Sequence, residues 1–245
     1  MLFLKRFLLM GIVFITSSIM VMGQSTSRVT TSSGEMSVEQ SYLQESIELM
    51  IIREQSRAES RDMKFVALDY IEDAISRGNT GEEIRMALEY LTMEGIVNKS
   101  HENGRLMNNY PDVRMRAAAY LGELGSPEAK DTLIKLILAD NEPSVITEAI
   151  KSLAKIGLND NNESLEAISW ILARFNALNP NDLMAFAAFD AYEKLAVTNN
   201  GITDPSVIRM LILIAEDGRY QRPVRDRARQ VLADLRRISF QNSQP

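Results

Sequence analysis

Few side chains in this sequence have the types and spacing needed for catalytic or metal chemistry. The chain has no cysteine and one histidine, His101, which excludes thiol catalysis, disulfides and zinc sites built from cysteine and histidine. Phosphate-binding glycine loops, a serine nucleophile elbow and the two-histidine helix of metalloproteases are also absent. His101 lies in the polar stretch 98–109, which favours a solvated loop residue. We therefore predict no catalytic residue, no cofactor site and no metal site.

The segment 159–164 is rich in side-chain oxygen atoms, a composition that also occurs in calcium loops. A calcium loop of the EF-hand type needs glycine at its sixth position and glutamate at its twelfth, because these residues make the turn and complete the ligand set. Leu165 and Ile171 stand at those positions instead. We interpret the segment as a polar turn that caps the following helix.

A tryptophan between two charged residues is the first candidate for recognition. The inward stripe of a predicted helix over 163–177 contains Ile168, Ile171, Leu172 and Phe175. Glu166, Trp170 and Arg174 then share the opposite side. Indole combines a large apolar area with one polar N–H, so an outward tryptophan suits a protein interface. The alternative is that neighbouring helices cover it.

An arginine-rich segment near the C-terminus is the second candidate. Seven arginines fall within nineteen residues: Arg219, Arg222, Arg225, Arg227, Arg229, Arg236 and Arg237. Four share one helical face that suits an acidic protein or phospholipid surface: Arg222, Arg225, Arg229 and Arg236. The alternative is the solvated face of a terminal helix, since Asp226 and Asp234 lie among them. The net charge of −6 argues against nucleic-acid binding.

The N-terminal residues have the order of a secretory leader. Lys5 and Arg6 precede an apolar run over 7–22, and small residues favour cleavage between Gly23 and Gln24. We predict a signal peptide over 1–23 and a flexible polar spacer over 24–37, and export to the periplasm if the host is a diderm bacterium. The alternative is an uncleaved anchor in the inner membrane, because the run is nearly long enough to cross a bilayer. Without the leader, 25 basic and 33 acidic residues give a net charge of −8.

Beyond the spacer, helical apolar spacing and regular breakers predict short helices throughout, and no stretch alternates like a strand. One pattern recurs: an apolar residue, alanine four residues later, then apolar residues four and seven residues after the alanine. Its five copies are Met63-Ala67-Ile71-Ala74, Val113-Ala117-Leu121-Leu124, Val145-Ala149-Leu153-Ile156, Met184-Ala188-Tyr192-Leu195 and Val224-Ala228-Leu232-Leu235. Each copy forms one stripe of a helix, on which the small alanine permits close approach of a partner helix. The starts are 50, 32, 39 and 40 residues apart, which suits a helix pair plus a loop.

These residues resemble the HEAT repeat, in its short form that also occurs in phycobilisome lyases. The likeness is strongest over 111–157 and extends weakly over 60–235. It implies an all-α fold, an α-solenoid superhelix of the ARM/HEAT type with about four to five helix pairs, spanning 38–240 and followed by a tail over 241–245. In the family, a basic residue after the first apolar position ties neighbouring units. The copies differ here: Lys64, Arg114 and Arg225 fit this rule, whereas Ile146 and Ala185 do not.

Both ends of the solenoid need a covering helix, because repeats bury their apolar faces against neighbours. The segment 205–217 is apolar on nearly every side, so we expect it to be covered from several directions, with 223–238 as its terminal cap. At the other end, an apolar stripe in the helix predicted over 38–58 is expected to face the solenoid. This stripe consists of Tyr42, Leu43, Ile47, Met50 and Ile51.

The function expected from these features is an exported, non-enzymatic scaffold that binds proteins of the cell envelope along the second helices of the pairs. Clients in secretion or motility machinery fit this description. We expect no nucleic-acid partner, and contact with the membrane only through an uncleaved leader. The resemblance leaves one alternative open, an enzyme or enzyme subunit related to the bilin lyases. A DNA glycosylase, a further activity of HEAT-like proteins, conflicts with the leader and with the acidic charge.

Overall fold

The computed structural model describes residues 37–202 and 204–241. The predicted leader, all of the spacer except Ser37, and residues 242–245 lie outside this part of the chain. Within it, helices account for nearly all regular structure. None of the helices in these two ranges is both long enough and apolar enough to traverse a lipid bilayer.

Ten α-helices run through the described residues. They are α1 (Val38–Arg57), α2 (Arg61–Ser76), α3 (Glu82–Thr92), α4 (Pro111–Leu124), α5 (Pro127–Ala139), α6 (Pro143–Ile156), α7 (Glu163–Leu178), α8 (Asp182–Thr198), α9 (Pro205–Glu216) and α10 (Arg222–Gln241). A 3₁₀ turn at Asp160–Asn162 precedes α7. The last helix therefore runs one residue into the segment predicted as a tail.

The helices form two layers in which each member packs against the next. The first layer contains α2, α4, α6, α8 and α10, and the second contains α1, α3, α5, α7 and α9. Each layer buries the apolar side of the other, as stacked helix pairs must. The predicted all-α solenoid is confirmed.

The five alanines of the repeat lie on the five helices of the first layer. Each of them is fully buried: Ala67, Ala117, Ala149, Ala188 and Ala228. Alanine at this place lets consecutive helices of the layer approach closely. Met63, which opens the first copy, departs from the pattern and is 45% exposed. It lies at the end of the layer, where α2 has α4 as its one neighbour in that layer.

Local signals in the sequence fix several helix ends. Ser126 and Asp204 cap α5 and α9, with their side chains accepting from the N–H groups of Ala129 and Ser206 at 3.1 and 2.8 Å. These bonds satisfy amides that the first turn of a helix leaves without partners. Gly125 and Gly157 end α4 and α6 in the left-handed region, at φ of 68° and 76°.

The long connection between α3 and α4 contains a β-hairpin that was not predicted from the sequence. Strands β1 (His101–Glu102) and β2 (Arg105–Leu106) pair antiparallel around Asn103 and Gly104, both with positive φ. Asn-Gly is the preferred pair for a two-residue hairpin turn. The strands are too short to show alternation, so this dipeptide was the available signal.

The buried side chain of Asn108 holds the base of this connection. Its amide donates to the Glu94 carboxylate at 2.7 Å and to the carbonyl of Asn98 at 2.6 Å, and its oxygen accepts from the N–H of Ser100 at 2.8 Å. The hairpin is therefore anchored to the end of α3. These hydrogen bonds offset part of the conformational entropy that is lost when the connection is ordered.

The expected packing of α1 is wrong. Tyr42, Leu43, Ile47 and Met50 are 52–70% exposed. The buried residues of α1 are Ile52 and Ser56, with Leu49 partly covered. Apolar side chains occur on more than one side of α1, so their spacing did not determine which side faces the solenoid.

At the other end, α10 covers α9 as predicted, through Val224, Ala228, Val231 and Leu235, all buried. As expected, α9 is covered from more than one direction, because it packs against both α10 and α7. Ile212 and Leu213 are 41% and 44% exposed, because they lie on the side of α9 that faces away from both α7 and α10.

Candidate protein-binding surface

A ladder of charged side chains connects the N-terminal helix pairs of the solenoid, and it begins at Lys64 on α2. The Lys64 ammonium lies 3.0 Å from a carboxylate oxygen of Glu94, donates to the carbonyl of Ser56 at 3.0 Å, and lies 5.5 Å from the centre of the Tyr90 ring. Lys64 and Glu94 are 1% and 2% exposed. Charges are this strongly buried in proteins when they are paired.

Arg114 on α4 repeats the arrangement one pair further along. Its guanidinium donates to both carboxylate oxygens of Asp140, at 2.7 and 3.2 Å, and to the backbone carbonyl of Glu94 at 3.1 Å. The Asp140 carboxylate also accepts from the N–H groups of Asn141 and Glu142. Lys64 and Arg114 are two of the three basic residues that follow the first apolar position of a repeat copy. Each of them joins a first-layer helix to the end of a second-layer helix.

Arg174 extends this ladder to the predicted recognition residue Trp170. Its guanidinium donates to the carbonyl of Asp140 at 3.3 Å and to the side chain of Asn141, and lies 5.8 Å from the centre of the Trp170 ring. The charged ladder thus consists of Lys64, Glu94, Arg114, Asp140 and Arg174. Trp170 is 48% exposed, so neighbouring helices cover only about half of it. Glu166 is exposed on the same side of α7.

Trp170 belongs to a row of exposed apolar residues along the second layer. Each member lies on the side of its helix opposite the buried stripe: Met86 on α3, Leu138 on α5, Trp170 on α7, and Ile212 and Leu213 on α9. We call these residues the apolar row. Spread over consecutive helices, they give a partner an extended series of contacts, and the largest of them is the aromatic ring that Arg174 holds in place. Of these residues, only Trp170 was predicted from the sequence to take part in recognition.

The four arginines predicted to share a face differ in their partners and in their exposure. Arg229 donates to Asp226 at 2.8 Å and to the carbonyl of Ala215 in the last turn of α9 at 2.7 Å. Arg222 pairs with Asp226 at 3.6 Å, and its side chain is 85% exposed. Arg225 is half-buried, and its Nε atom makes no hydrogen bond among the described residues, whereas Arg236 is exposed. Carboxylates between the arginines offset much of the positive charge, which favours the solvated face of a capping helix.

A groove of about 880 Å³ lies between α1 and α3. Its apolar lining comes from Tyr42, Leu49, Met50, Met86, Ala87, Tyr90, Met93 and Val97. Methionine side chains adapt to differently shaped partners, so this lining suits a helix or an extended segment. Burial and the neighbouring Glu94 carboxylate raise the pKa of Tyr90, which keeps its hydroxyl neutral.

The groove was not predicted, because the apolar stripe of α1 was expected to face the solenoid. The available signal was the excess of apolar residues on α1, which has more of them than one buried side can use.

Side chains of the oxygen-rich segment 159–164 make hydrogen bonds and ion pairs within the fold. Asn159 caps α7 by accepting from the N–H of Leu165 at 3.3 Å, as predicted for a polar turn. Lys130 on α5 lies 2.8 Å from the Glu163 carboxylate, and this hydrogen bond raises the pKa of the ammonium group. His101 is exposed on β1. Within residues 37–202 and 204–241, no group of three or more acidic or histidine side chains is arranged to hold a metal.

Comparison with known proteins identifies the repeat. Residues 105–177, which cover α4 to α7 except for the last residue of α7, match the family model of HEAT repeats. No curated protein and no solved structure matches the chain. The family match covers the part of the solenoid that contains Arg114, Asp140 and Trp170.

Proposed function

We propose that this chain, which is a HEAT-repeat protein, acts as a non-enzymatic scaffold that binds other proteins through the exposed side of its second layer. HEAT repeats generally mediate protein–protein interaction, and HEAT-repeat proteins are generally non-enzymatic scaffolds. The observation that carries the proposal is the apolar row, with Trp170 held by Arg174 near its middle. Exposed apolar residues aligned across several helices are typical of a binding surface.

The site of action that we propose is the bacterial cell envelope. The leader-like order of residues 1–23 and the absence of cysteine support export, since free thiols are a liability in oxidising compartments. In a diderm host the protein would then act in the periplasm, within an assembly such as a secretion or motility apparatus. The alternative of anchorage in the inner membrane depends on the same apolar run.

An enzyme or enzyme subunit of the bilin-lyase type is the second candidate. The likeness to the short repeats of phycobilisome lyases supports it, and its substrate would be a small molecule. Because tetrapyrrole attachment to antenna proteins takes place in the cytoplasm, export would count against this role. A pigment that co-purifies with the chain would support the enzyme in place of the scaffold.

Site-specific photo-crosslinking in the native cells tests the proposed surface. With a photoreactive residue at Leu138, Trp170 or Ile212, we expect the same partner proteins to be captured from each position, because the apolar row forms one surface. Mass spectrometry identifies the captured proteins. The matched controls are Leu183 and Val197 on α8 in the first layer, which are 75% and 69% exposed and so at least as accessible. Capture from the controls alone, or from no position in the row, would refute the proposal.

Cleavage of the leader gives a separate test of the proposed export. We expect the mature protein to begin at Gln24, as measured by intact mass and N-terminal sequencing. Gly23→Phe should block cleavage, because the residue before the cut must be small, and should retain the chain in the membrane fraction. Gly11→Leu, inside the apolar run, is the control and should be processed normally. A wild-type chain that stays uncut in the membrane would support the anchor instead.

A further inference from the structure

The N-terminal end of the described chain leaves two neighbouring apolar surfaces without a partner. One is the groove between α1 and α3. The other is the outer side of α1, where Leu43 and Ile47 are 60% and 55% exposed, and Met50 belongs to both surfaces. We call the groove together with Leu43 and Ile47 the N-terminal surface. Exposed apolar residues that adjoin in this way mark an interaction site more often than scattered ones do.

The groove has an acidic end and a basic end. Glu45 accepts from the side chain of Asn79 at 2.9 Å, just before α3 begins, which places it beside Glu83 in the first turn of α3. At the other end, Ser56 is joined through Lys64 to Glu94, just after α3 ends. Helices α1 and α3 therefore run in the same direction. Arg53 and Arg57 line the groove at the end near Glu94, together with Glu89, whose charge is offset by its pair with Arg85.

An occupant that complements these charges must carry a basic end opposite Glu45 and Glu83, and an acidic end opposite Arg53 and Arg57. Helix α1 itself meets this requirement when it is turned antiparallel. A second copy of α1 in the groove would bring its own Arg53 and Arg57 to the acidic end. Two-fold symmetry repeats each pairing, and antiparallel helices also have favourably oriented dipoles.

We propose that two copies of this chain associate through the N-terminal surface, with the α1 of each copy lying antiparallel in the groove of the other. One contact then covers both the groove and the outer side of α1. Sixteen residues line the groove, and Leu43 and Ile47 bring the surface close to the roughly 20–30 residues on each side of a stable interface.

The mass of the purified full chain tests this association, measured by sedimentation or light scattering from 1 to 100 µM. We expect a dimer, and an increase of at least tenfold in its dissociation constant for the variant Leu43→Glu/Met50→Glu. Circular dichroism should show an unchanged helix content, because both side chains are largely exposed. The matched control is Leu183→Glu/Val197→Glu on α8, at positions that are at least as exposed, and it should have no effect. A chain that remains monomeric at 100 µM, or a dimer that withstands the α1 variant, overturns the proposal.

Single cysteines locate the two-fold axis, because the natural chain has none. The pairing of Glu45 with Arg53 and Arg57 of the second copy centres the two-fold axis near Met50, which lines the groove, so Met50→Cys should give a covalent dimer with a short thiol crosslinker. Ser144→Cys, at an exposed position in the first turn of α6, is the control and should remain monomeric under the same conditions. Equal crosslinking of the two variants would refute the antiparallel α1 contact.

A charge exchange separates self-association from binding to another protein. Arg53→Glu/Arg57→Glu should weaken the dimer at least tenfold by placing like charges together. Adding Glu45→Arg/Glu83→Arg to the same chain should restore it, since both ends of the groove are then reversed. If the quadruple variant does not dimerise although its helix content is retained, the proposed arrangement is contradicted. Loss of dimerisation alone leaves the photo-crosslinking test of the apolar row unaffected.

Discussion

Gly122→Ala is expected to lower the free energy of unfolding by about 2 kcal/mol, although alanine normally stabilises a helix by about 1 kcal/mol relative to glycine. Gly122 lies inside α4, where α4 packs against α6. A Cβ atom at this position would lie 2.8 Å from the Cβ of Ser152, and 3.0 Å from its Cα. Because the Cα belongs to the backbone of α6, a side-chain rotation does not relieve the contact. Equilibrium unfolding in urea measures the loss.

Two other glycines make matched controls for this variant. Gly218 has no atom within 4 Å of an added Cβ, and its φ is not positive, so Gly218→Ala should leave stability nearly unchanged. Gly125 has equal space but a φ of +68°, so Gly125→Ala should cost only the left-handed backbone strain of about 1 kcal/mol. If Gly122→Ala is as stable as the wild type, the close packing of α4 on α6 is incorrect.

Arg114→Met is expected to destabilise the protein more, by about 3–5 kcal/mol. The variant keeps the volume of the side chain but leaves the buried carboxylate of Asp140 without its cation. It also removes the hydrogen bonds that Arg114 donates to the carbonyl of Glu94 and to the side chain of Asn109. An uncompensated buried charge costs far more than the pair itself contributes. The measurement is the midpoint and slope of urea unfolding.

Arg85→Met is the control variant with which the stability of Arg114→Met is compared. Arg85 pairs with Glu82 and Glu89 within one turn of its own helix, and its side chain is 20% exposed. Such pairs contribute about 0.5 kcal/mol or less, so this variant should remain close to the wild type. The double variant Arg114→Met/Asp140→Asn should recover part of the loss, because the amide carries no charge and still accepts from the N–H groups of Asn141 and Glu142. Equal effects of the two single methionine variants would mean that Arg114 is not buried in solution.

The solenoid was predictable because its repeat depends on small residues at fixed spacing. Where another helix passes close by, only a small residue such as alanine fits four residues after the apolar position, and this requirement recurs in five helices. Ser126-Pro127 and Asp204-Pro205 act locally, so their caps were also visible in the sequence. Gly122 gave no such signal, because its partner Ser152 lies thirty residues away in the chain and only packing brings them together.

The binding surfaces were less predictable, for a physical reason. The exposed side of Trp170 followed from the stripe formed by Ile168 and Ile171, since helical periodicity separates two sides. In α1 and α9 that separation fails, because apolar residues such as Ile47 and Leu213 surround the helix. Only the number and position of neighbouring helices determine which of these side chains remain exposed.

The charged ladder also distributes the buried ion pairs unevenly along the solenoid. Its links join consecutive helix pairs from Lys64 to Arg174, whereas the ladder position of α6 and α8 is occupied by Ile146 and Ala185. Separating a buried ion pair leaves each charge without its partner, which costs more than separating a pair that solvent already reaches. The ion pairs between α8 and α10 are more exposed: Arg227, whose side chain is 26% exposed, pairs with Asp190 and Glu193. We therefore expect a load, or a partner of slightly different shape, to disrupt these pairs before those of Lys64 and Arg114.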